Sequence, residues 1–479
     1  MKFRYVLPVL FVLALAACAT VPRPAPRAPV HVWLSTANGE KQLAHEADLA
    51  FGAPANAGIL IDIDAGKRYQ AMIGFGAAIT DSSAWLIEKR MNAAQRDKLL
   101  HELFGRGEGG LGIDFTRLTI GASDFSRAHY SLDDMPPGQS DPMLAHFSLT
   151  PRIAGTGAEQ VLPVVRAALA INPQLKVMAS PWSAPAWMKT NGSLLHGTLK
   201  YEYHAAFADY LVKYVDAMQA AGVPIFALTV QNEPRFNPPD YPGMLLSAGA
   251  RRLLIGEQLG PKLAQREHAP LIFDWDHNWD IETEPLALLV DPLANRYVAA
   301  VAWHCYAGYV DAQTRVHDKY PDKDAYLTEC SGGDWKPMKN DGLLTIVRRL
   351  LIGSVRGWSR GVLLWNLALD ENHGPHAGGC DDCRGLVTID SKTGDYTRTV
   401  DYVALAHASR FVRPGAQRVE SSEGHDDMDN VVFRNADDGS LVMIVANSSP
   451  SAQRFVARET QRAFAYTMPA RSVATFVWR

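Results

Sequence analysis

The sequence predicts an α/β fold, a (β/α)8 TIM barrel with an attached β-sandwich, and two observations carry this prediction. Between residues 70 and 405, short apolar runs alternate with segments of helical periodicity, which is the pattern of repeated βα units. Outside this stretch, residues 31–67 and the chain after Pro414 contain strand patterns with no helices between them. We therefore expect a barrel domain at residues 68–410 and a β-sandwich formed by residues 31–67 and 411–479.

Eight candidate barrel strands can be counted, at residues 71–74, 115–120, 176–180, 226–230, 271–274, 298–304, 325–328 and 362–365. The segments between them carry apolar residues at helical spacing. In the clearest case six side chains share one helix face: Phe207, Tyr210, Leu211, Tyr214, Val215 and Met218. Gly222 and Pro224 then end that helix before the next strand. Eight such units fit a barrel with insertions.

The sandwich is expected to form from both ends of the chain. Strand patterns occur at residues 31–36, 59–63, 430–434, 440–447, 454–456 and 472–477, and Asp437-Asp438-Gly439 predicts a hairpin turn. Two separate β appendages are the alternative interpretation. The N-terminal strands are too few to form a core by themselves, which favours one shared sandwich.

The N-terminus reads as an export signal. Lys2 and Arg4 precede an apolar run at residues 6–17, which is too short to span a bilayer. The run ends at Cys18 in a Leu-Ala-Ala-Cys sequence that resembles a bacterial lipobox. We expect residues 1–17 to be a lipoprotein signal peptide, Cys18 to carry lipid, and residues 18–30 to be a Pro-rich tether. The protein would then be exported and lipid-anchored, in the periplasm or at the cell surface. An ordinary secretory signal with a chance cysteine is the alternative.

Composition argues against several classes of partner. The formal net charge is −4, with 47 basic and 51 acidic side chains. The chain therefore lacks the excess of basic residues that is typical of nucleic-acid-binding proteins. No Walker loop, dinucleotide-binding glycine pattern or His-rich metal motif is present. We therefore expect no cofactor, no metal and no nucleic acid, and contact with a membrane only through the N-terminal lipid.

Four cysteines follow Cys18. Cys380 and Cys383 are separated by two aspartates, and we expect them to form a small disulfide, with free thiols or a metal site as alternatives. Cys305 and Cys330 each follow an inward-facing strand residue by one position. Strand alternation therefore turns both toward the surrounding helices, where we expect them to pack.

Polar and aromatic residues follow seven of the predicted strands, at the end of the barrel where enzymes of this fold place their sites. Two carboxylates stand out because Glu233 follows strand four and Glu329 ends strand seven. Strands four and seven lie on facing sides of a barrel. Hydrolysis of a glycosidic bond requires two such carboxyl groups, and a separation of about 5–5.5 Å retains the anomeric configuration. The pattern predicts a glycosidase.

Six motifs in order resemble glycoside hydrolase family 30, which includes glucosylceramidases, over the chain from about residue 31 to the C-terminus. They are Gly74-Phe75-Gly76-Ala77-Ala78-Ile79-Thr80-Asp81, Ala122-Ser123-Asp124-Phe125-Ser126, Ser180-Pro181-Trp182-Ser183-Ala184-Pro185, Asn232-Glu233-Pro234, Thr328-Glu329-Cys330 and Trp365-Asn366-Leu367-Ala368-Leu369. The resemblance implies that Glu233 is the acid/base and Glu329 the nucleophile of a retaining β-glycosidase. An acid at Glu233 should have a raised pKa.

The resemblance also implies a sugar subsite lined by Arg117, Asp124, Trp182, His304, Tyr306 and Trp365. Asn232, beside the acid, is placed to bind the sugar 2-hydroxyl. Arg117 would steady the charge of the nucleophile, although a buried ion pair is an equal interpretation. Three residues after strand five are expected to shape an outer subsite: Asp274, Trp275 and His277.

The substrate depends on the loop after strand eight, at residues 370–389, where the sequence departs from glucosylceramidases and is closer to bacterial members of the family. Some of those members hydrolyse β-1,6-glucan. A lipid anchor also suits a glucan or oligosaccharide better than a ceramide. We expect β-1,6-linked glucan ahead of glucosylceramide, with β-xylosides and β-fucosides still open. The alternative from another class is a non-catalytic carbohydrate-binding surface protein, which would usually lack one of the two glutamates.

Overall fold

The structure, a computed structural model, describes residues 1–3, 29–52, 58–150, 156–335, 338–425 and 427–479. Most of the expected signal peptide and tether, with Cys18, lies outside the described residues. Among those that are described, no helix combines the length and the apolar character needed to cross a membrane.

Eight parallel strands form a barrel, as the sequence predicts. Their bounds are β1 Gly74–Ala78, β2 Phe115–Ile120, β3 Lys176–Pro181, β4 Ala227–Thr229, β5 Leu271–Asn278, β6 Val298–His304, β7 Asp324–Glu329 and β8 Ser359–Asp370. Parallel ladders connect β2 through to β8, and β8 pairs with β1. Closure between β1 and β2 rests on backbone hydrogen bonds, including one of 3.0 Å from the Ile79 amide to the Arg117 carbonyl.

The prediction of the first barrel strand at residues 71–74 is wrong, because the barrel strand begins only at Gly74. Residues up to Ala71 belong to a strand of the sandwich. Small residues fill β1 because its backbone lies against β2. A Cβ atom at Gly76 would lie 1.9 Å from the carbonyl oxygen of Phe115, so only glycine permits this approach.

Helices cover the outside of the barrel, as repeated βα units require. The α-helices are Asp81–Arg90, Ala93–Phe104, Ala158–Ile171, His204–Ala220, Ala248–Leu253, Gly260–Leu263, Thr283–Leu289, Pro292–Asn295, Asp311–Lys319, Met338–Thr345 and Val400–Ser409, with π-helical segments at Leu254–Leu259 and Ile346–Ser354. Short 3-10 turns occur at Ala186–Met188, Tyr201–Tyr203 and Trp279–Ile281. In His204–Ala220 all six residues of the predicted apolar face are buried. The predicted helix is therefore confirmed.

The sandwich is one curled sheet of nine strands, in the order Arg462–Met468, Gln453–Glu459, Ile59–Ala71, Gln417–Ser421, Met428–Arg434, Leu441–Asn447, Ser472–Trp478, His31–Thr36 and Ala44–His45. Strands from the two ends of the chain pair with each other within it and share one apolar core. The prediction of a single sandwich is confirmed, and the alternative of two separate appendages is wrong. Three strands were not predicted: Ala44–His45, Gln417–Ser421 and Arg462–Met468.

A buried histidine joins the sandwich to the barrel. His407, on the helix Val400–Ser409, contacts Ser35 Oγ at 2.8 Å and Thr475 Oγ1 at 2.9 Å, and both hydroxyls belong to sandwich strands. Burial lowers the pKa of His407 to about 3, so the ring is neutral and accepts as well as donates. These contacts hold the sandwich against the barrel. They lie near the amino-terminal ends of the barrel strands, because Ser409, two residues after His407, donates to the Leu111 carbonyl just before β2.

Two disulfides are present among the described residues. Cys380–Cys383 forms as expected. Cys305 and Cys330 also form a disulfide, with Cα atoms 5.4 Å apart, so the expectation of simple packing is wrong. The reason is register: His304 and Glu329 are paired on β6 and β7, which places the cysteine after each of them side by side.

Candidate active site

The two predicted glutamates meet at the carboxyl end of the barrel. Glu329 is the last residue of β7, and Glu233 lies four residues beyond the end of β4. Their nearest carboxylate oxygens and a ring nitrogen of His304 all lie within 4.8 Å of one another. Glu329 is 5% exposed, so this meeting point is almost closed to bulk water.

Glu329 accepts hydrogen bonds on both carboxylate oxygens. Arg117 Nη1 donates to Oε2 at 2.5 Å, and Tyr306 Oη donates to Oε1 at 2.9 Å. Arg117 is fully buried on β2, so both interpretations of this residue hold at once, as an ion-pair partner and as a neighbour of Glu329. Tyr306 is 45% exposed, and its ring therefore faces the open side of the site.

Glu233 contacts a different set of groups. Its Oε1 lies 2.9 Å from His304 Nδ1 and 3.9 Å from His277 Nε2. The backbone of Glu233 is left-handed, with φ of 45°, a conformation that costs a non-glycine residue energy and needs support from its surroundings. The Glu233 amide donates to the carbonyl of Asp276 at 3.0 Å, which supplies part of that support.

Asp276 is the centre of the network, and its role was not predicted from the sequence. One oxygen accepts from Arg117 Nη2 at 2.8 Å, and the other lies 3.1 Å from His304 Nε2. Three other barrel strands, β3, β4 and β7, each add a hydroxyl donor, from Ser180, Thr229 and Thr328. Arg117 and His304 hold the pKa of the buried Asp276 carboxyl well below its usual range, against the effect of burial. The carboxylate thus orients both the arginine of Glu329 and the histidine of Glu233.

Irregular backbone in β5 explains why this aspartate was missed. Trp275 and Asp276 have positive φ values, and the register between β5 and β6 shifts across residues 275–277. Asp274 precedes this irregularity and points outward by ordinary alternation, because Phe273 before it packs inside the barrel, and it pairs with buried Arg251. Trp275 Nε1 donates to the Asn278 carbonyl. The expectation that Asp274 and Trp275 shape an outer subsite is wrong, whereas His277 does border the pocket.

Two tryptophans form an apolar wall beside the glutamates. Trp182 and Trp365 are stacked with ring centroids 5.1 Å apart, and the Arg117 guanidinium lies 4.8 Å from the Trp182 ring. Trp365 Nε1 points to Asp124 Oδ2 at 3.4 Å. Burial and the charge of Glu329 raise the pKa of Asp124 to about 7. All nine predicted subsite and catalytic residues therefore belong to one continuous cluster.

A loop after β8 closes one side of this cluster. The Ala377 amide donates to the Asp124 carbonyl at 2.9 Å, and the Gly379 amide donates to Asp240 Oδ1 at 3.3 Å. Gly379 has φ of 81°, and a Cβ atom there would lie 2.6 Å from the Cβ of Asp124. The loop therefore packs closely against Asp124, beside the two tryptophans. The Cys380–Cys383 disulfide begins at the residue after Gly379.

The electrostatics differ from the sequence expectation in one respect. Burial raises the pKa of Glu233, but the hydrogen bond and charge of His304 outweigh it, so the net shift is downward rather than upward. Burial lowers the pKa of His304. The charge of Glu329 and the hydrogen bonds to Asp276 and Glu233 outweigh this effect and raise the pKa of His304 from 6.5 to about 9. Near neutral pH the Glu233–His304 pair therefore holds one proton, at the histidine in the free enzyme.

Burial and the charge of Glu233 raise the pKa of Glu329, while His304, Arg117 and Tyr306 oppose the shift. The pKa shifts of the two glutamates therefore have opposite directions, upward at Glu329 and downward at Glu233. Each group could in principle be the one that is ionised during the reaction. The contacts favour an ionised Glu329, because Glu329 accepts on both oxygens and one donor is a permanently charged guanidinium. The positive charge of Arg117, which contacts Glu329, also repels any metal cation between Glu233, His304 and Glu329.

Comparisons with known proteins agree with this geometry. The model of the glycosyl hydrolase family 30 TIM-barrel domain matches residues 72–412, and that of the family 30 beta sandwich domain matches residues 415–476. The chain belongs to glycoside hydrolase family 30. The protein is therefore a glycosidase, and the alternative of a non-catalytic binding protein is set aside.

Named glucanases and a named glucosylceramidase are both similar to this chain. An endo-1,6-beta-D-glucanase of Neurospora crassa is 36% identical over 81% of this chain and 81% of its own. A solved endo-beta1,6-glucanase structure is 30% identical, with a TM-score of 0.84 over 94% of this chain and 99% of that chain. The lysosomal acid glucosylceramidase of Mus musculus is 29% identical over 88% of this chain and 84% of its own.

Proposed function

We propose that this enzyme is an endo-acting, retaining β-1,6-glucanase with Glu329 as the nucleophile and Glu233 as the acid/base. The observation that carries the retaining mechanism is the approach of the two carboxylates, whose nearest oxygens lie within 4.8 Å of each other. Retaining enzymes have carboxyl groups about 5–5.5 Å apart, whereas inverting enzymes leave about 6.5–9.5 Å for a water molecule. The separation observed here therefore supports the retaining arrangement.

The contacts of each glutamate support the assignment of roles. A nucleophile must be ionised, and Arg117 and Tyr306 donate to the two oxygens of Glu329. An acid/base must exchange a proton, and His304 adjoins Glu233 at 2.9 Å with one proton available to the pair. Glu233 is therefore placed to protonate the leaving oxygen with the proton that it shares with His304.

The first step forms a bond between Glu329 and the anomeric carbon, breaks the glycosidic bond, and delivers the shared proton to the leaving oxygen. Glycosylation removes the negative charge of Glu329. Because that charge is the first cause that keeps the proton on His304, its removal lowers the proton affinity of the Glu233–His304 pair. Glu233 then accepts a proton from water as the water attacks the glycosyl-enzyme, and Glu329 is released as a carboxylate.

Four further residues are proposed to hold the sugar. Arg117 Nη2 donates to Asn232 Oδ1 at 2.8 Å, so the Asn232 amide group is oriented to donate to the 2-hydroxyl. Asp124, at the closed side of the pocket, is proposed to bind outer hydroxyls. Trp182 and Trp365 supply the flat apolar surface against which a pyranose ring stacks.

The substrate proposal rests on the relatives and on the loop after β8. The glucanase relatives match at higher identity than the glucosylceramidase, and the solved glucanase spans nearly the whole chain. The test is hydrolysis of linear β-1,6-glucan, β-1,3-glucan, β-xylan and glucosylceramide by the full-length enzyme. We expect mixed oligosaccharides from β-1,6-glucan early in the reaction. Faster hydrolysis of glucosylceramide or xylan would overturn the substrate, and a single mono- or disaccharide product would overturn the endo mode.

We further propose that the enzyme is exported and lipid-anchored through Cys18, on the basis of the lipobox-like sequence at residues 15–18 and the Pro-rich tether. Mass spectrometry of the N-terminal peptide, isolated from membranes of an expressing bacterium, tests this. Diacylglycerol on Cys18, and loss of membrane association in Cys18→Ser, are expected. A processed N-terminus without lipid would instead indicate an ordinary secretory signal.

A further inference from the structure

Three metal-ligating side chains converge on the sandwich, outside the active site. His31 Nδ1 lies 2.9 Å from Asp48 Oδ1, and His45 Nε2 lies 3.6 Å from the same oxygen. All three ligand atoms lie within 4.8 Å of one another. The side chains are partly exposed, at 44%, 38% and 54% for His31, Asp48 and His45, so a hydrated ion can reach them.

The backbone explains why these residues meet. Trp33 and His45 are cross-strand partners, and His31 is two positions before Trp33, so both histidines project from one face of the sheet. Asp48 is placed by backbone hydrogen bonds on either side of it. The Glu46 amide donates to the Val32 carbonyl, and paired bonds of 2.9 Å join Val30 and Leu49. The three ligands are therefore carried by hydrogen-bonded backbone rather than by a free loop.

We propose that His31, His45 and Asp48 form a binding site for a divalent first-row transition metal, with Zn²⁺ as its representative. Two imidazoles and one carboxylate are ligands that such metals prefer, whereas Ca²⁺ and Mg²⁺ favour all-oxygen sites. Tetrahedral zinc bonds of about 2.0–2.2 Å place neighbouring ligand atoms about 3.3–3.6 Å apart. The observed separations of 2.9 and 3.6 Å lie close to that range, so small side-chain rotations suffice.

The bound ion would join two segments at the edge of the sandwich. His31 belongs to the strand that follows the tether and pairs with Ser472–Trp478, and His45 belongs to the short outermost strand Ala44–His45. Binding to the folded state alone stabilises that state by RT ln(1 + c/Kd), where c is the concentration of free Zn²⁺, so the gain grows with the logarithm of the ion concentration. The site would therefore hold in place the strand that follows the proposed lipid anchor, and it takes no part in the proposed hydrolysis.

Calorimetric titration of the untagged full-length enzyme with Zn²⁺ tests the site. We expect one bound ion and a loss of affinity of at least about tenfold in His45→Ala, since even the removal of outer-shell partners weakens metal sites about 10–100-fold. His101→Ala is the matched control. His101 is also exposed and lies 3.2 Å from a single carboxylate, Asp97, with no second histidine in that pair.

The second cluster that has metal-ligand spacing, among the described residues, is Glu233, His304 and Glu329. If Zn²⁺ binds there, His45→Ala will leave stoichiometry and affinity unchanged, and the proposal fails. Quenching by Cu²⁺ gives a separate readout, because the Trp33 ring centroid lies 5.1 Å from that of His45. Quenching should be reduced in His45→Ala and Asp48→Asn, and equal quenching in all variants would overturn the site. Unchanged circular dichroism spectra of these variants verify that they are folded, and this control does not depend on the proposed substrate.

Discussion

Two sides of the active site are built in different ways, and each contains one disulfide. The catalytic side is formed by the ends of β2 and β4–β7, where Asp276 connects Arg117 to His304 and the Cys305–Cys330 disulfide lies directly behind the network. The opposite side is the loop after β8, held by backbone hydrogen bonds to Asp124 and Asp240 and followed by Cys380–Cys383. On the first side, charged contacts between strands hold the two glutamates in position. On the second side, backbone hydrogen bonds hold a loop that borders the proposed sugar site. Substitutions on the first side should therefore lower kcat, and those on the second should mainly raise KM.

The largest effect is expected for Glu329→Gln. The amide retains the shape of the side chain but cannot attack the anomeric carbon, so kcat should fall by at least about 10⁴-fold. Initial rates on β-1,6-glucan measure it, with circular dichroism to verify the fold. Hydrolysis within tenfold of the unsubstituted enzyme would remove Glu329 from the nucleophile role.

Asp276→Asn tests the connection between the two halves of the catalytic side. Arg117 and His304 would lose the carboxylate that orients them, so kcat should fall by about 10²-fold. Loss of one partner from a buried ion pair also destabilises the fold by about 3–5 kcal/mol. Thr229→Val is the matched control, since it removes one neutral hydrogen bond to Asp276 and leaves the charges in place. Equal effects of the two substitutions on kcat would show that the charge of Asp276 is unimportant.

The pH dependence of kcat/KM tests the shared proton. Because the pKa of His304 is raised to about 9, the Glu233–His304 pair should lose its proton, and the enzyme its activity, as the pH rises through about 9. The stability that His304 contributes follows the same sign: it is fully present below about 6.5 and is lost as the pH rises through about 9. In His304→Asn the alkaline limb should move to lower pH. An alkaline limb that stays near 9 in this variant would contradict the shared proton.

The smallest effects are expected from the two disulfides, which give a direct contrast between the two sides. Replacing both Cys305 and Cys330 by serine loosens the strand ends that carry His304 and Glu329, so kcat should fall by about tenfold. The same change at Cys380 and Cys383 should raise KM for glucan about threefold and leave kcat nearly unchanged. Identical kcat and KM effects of the two double variants would remove the distinction between the sides.

The sequence predicted regular features well and irregular ones poorly. Strand-end position was enough to predict that Glu329 faces the pocket, and the family resemblance placed Arg117 beside it. Asp276 could not be placed in this way, because two residues with positive φ and a register shift reverse the alternation in β5. Alternation correctly turned Cys305 and Cys330 outward, but only the pairing of β6 with β7 brings their sulfurs together. The loop after β8 has no periodic pattern, so its contacts with Asp124 were not predictable beyond its position.

The most direct test of the central claim is to trap the glycosyl-enzyme with an activated 2-deoxy-2-fluoro-β-glucoside and to locate the label by peptide mass spectrometry. The fluorine slows both the formation and the hydrolysis of the glycosyl-enzyme, and the good leaving group restores the rate of formation. A covalent intermediate therefore accumulates. The proposed mechanism predicts one sugar per enzyme on the peptide that contains Glu329, and none in Glu329→Gln. A label on Glu233, or full activity without any label after prolonged exposure, would contradict it.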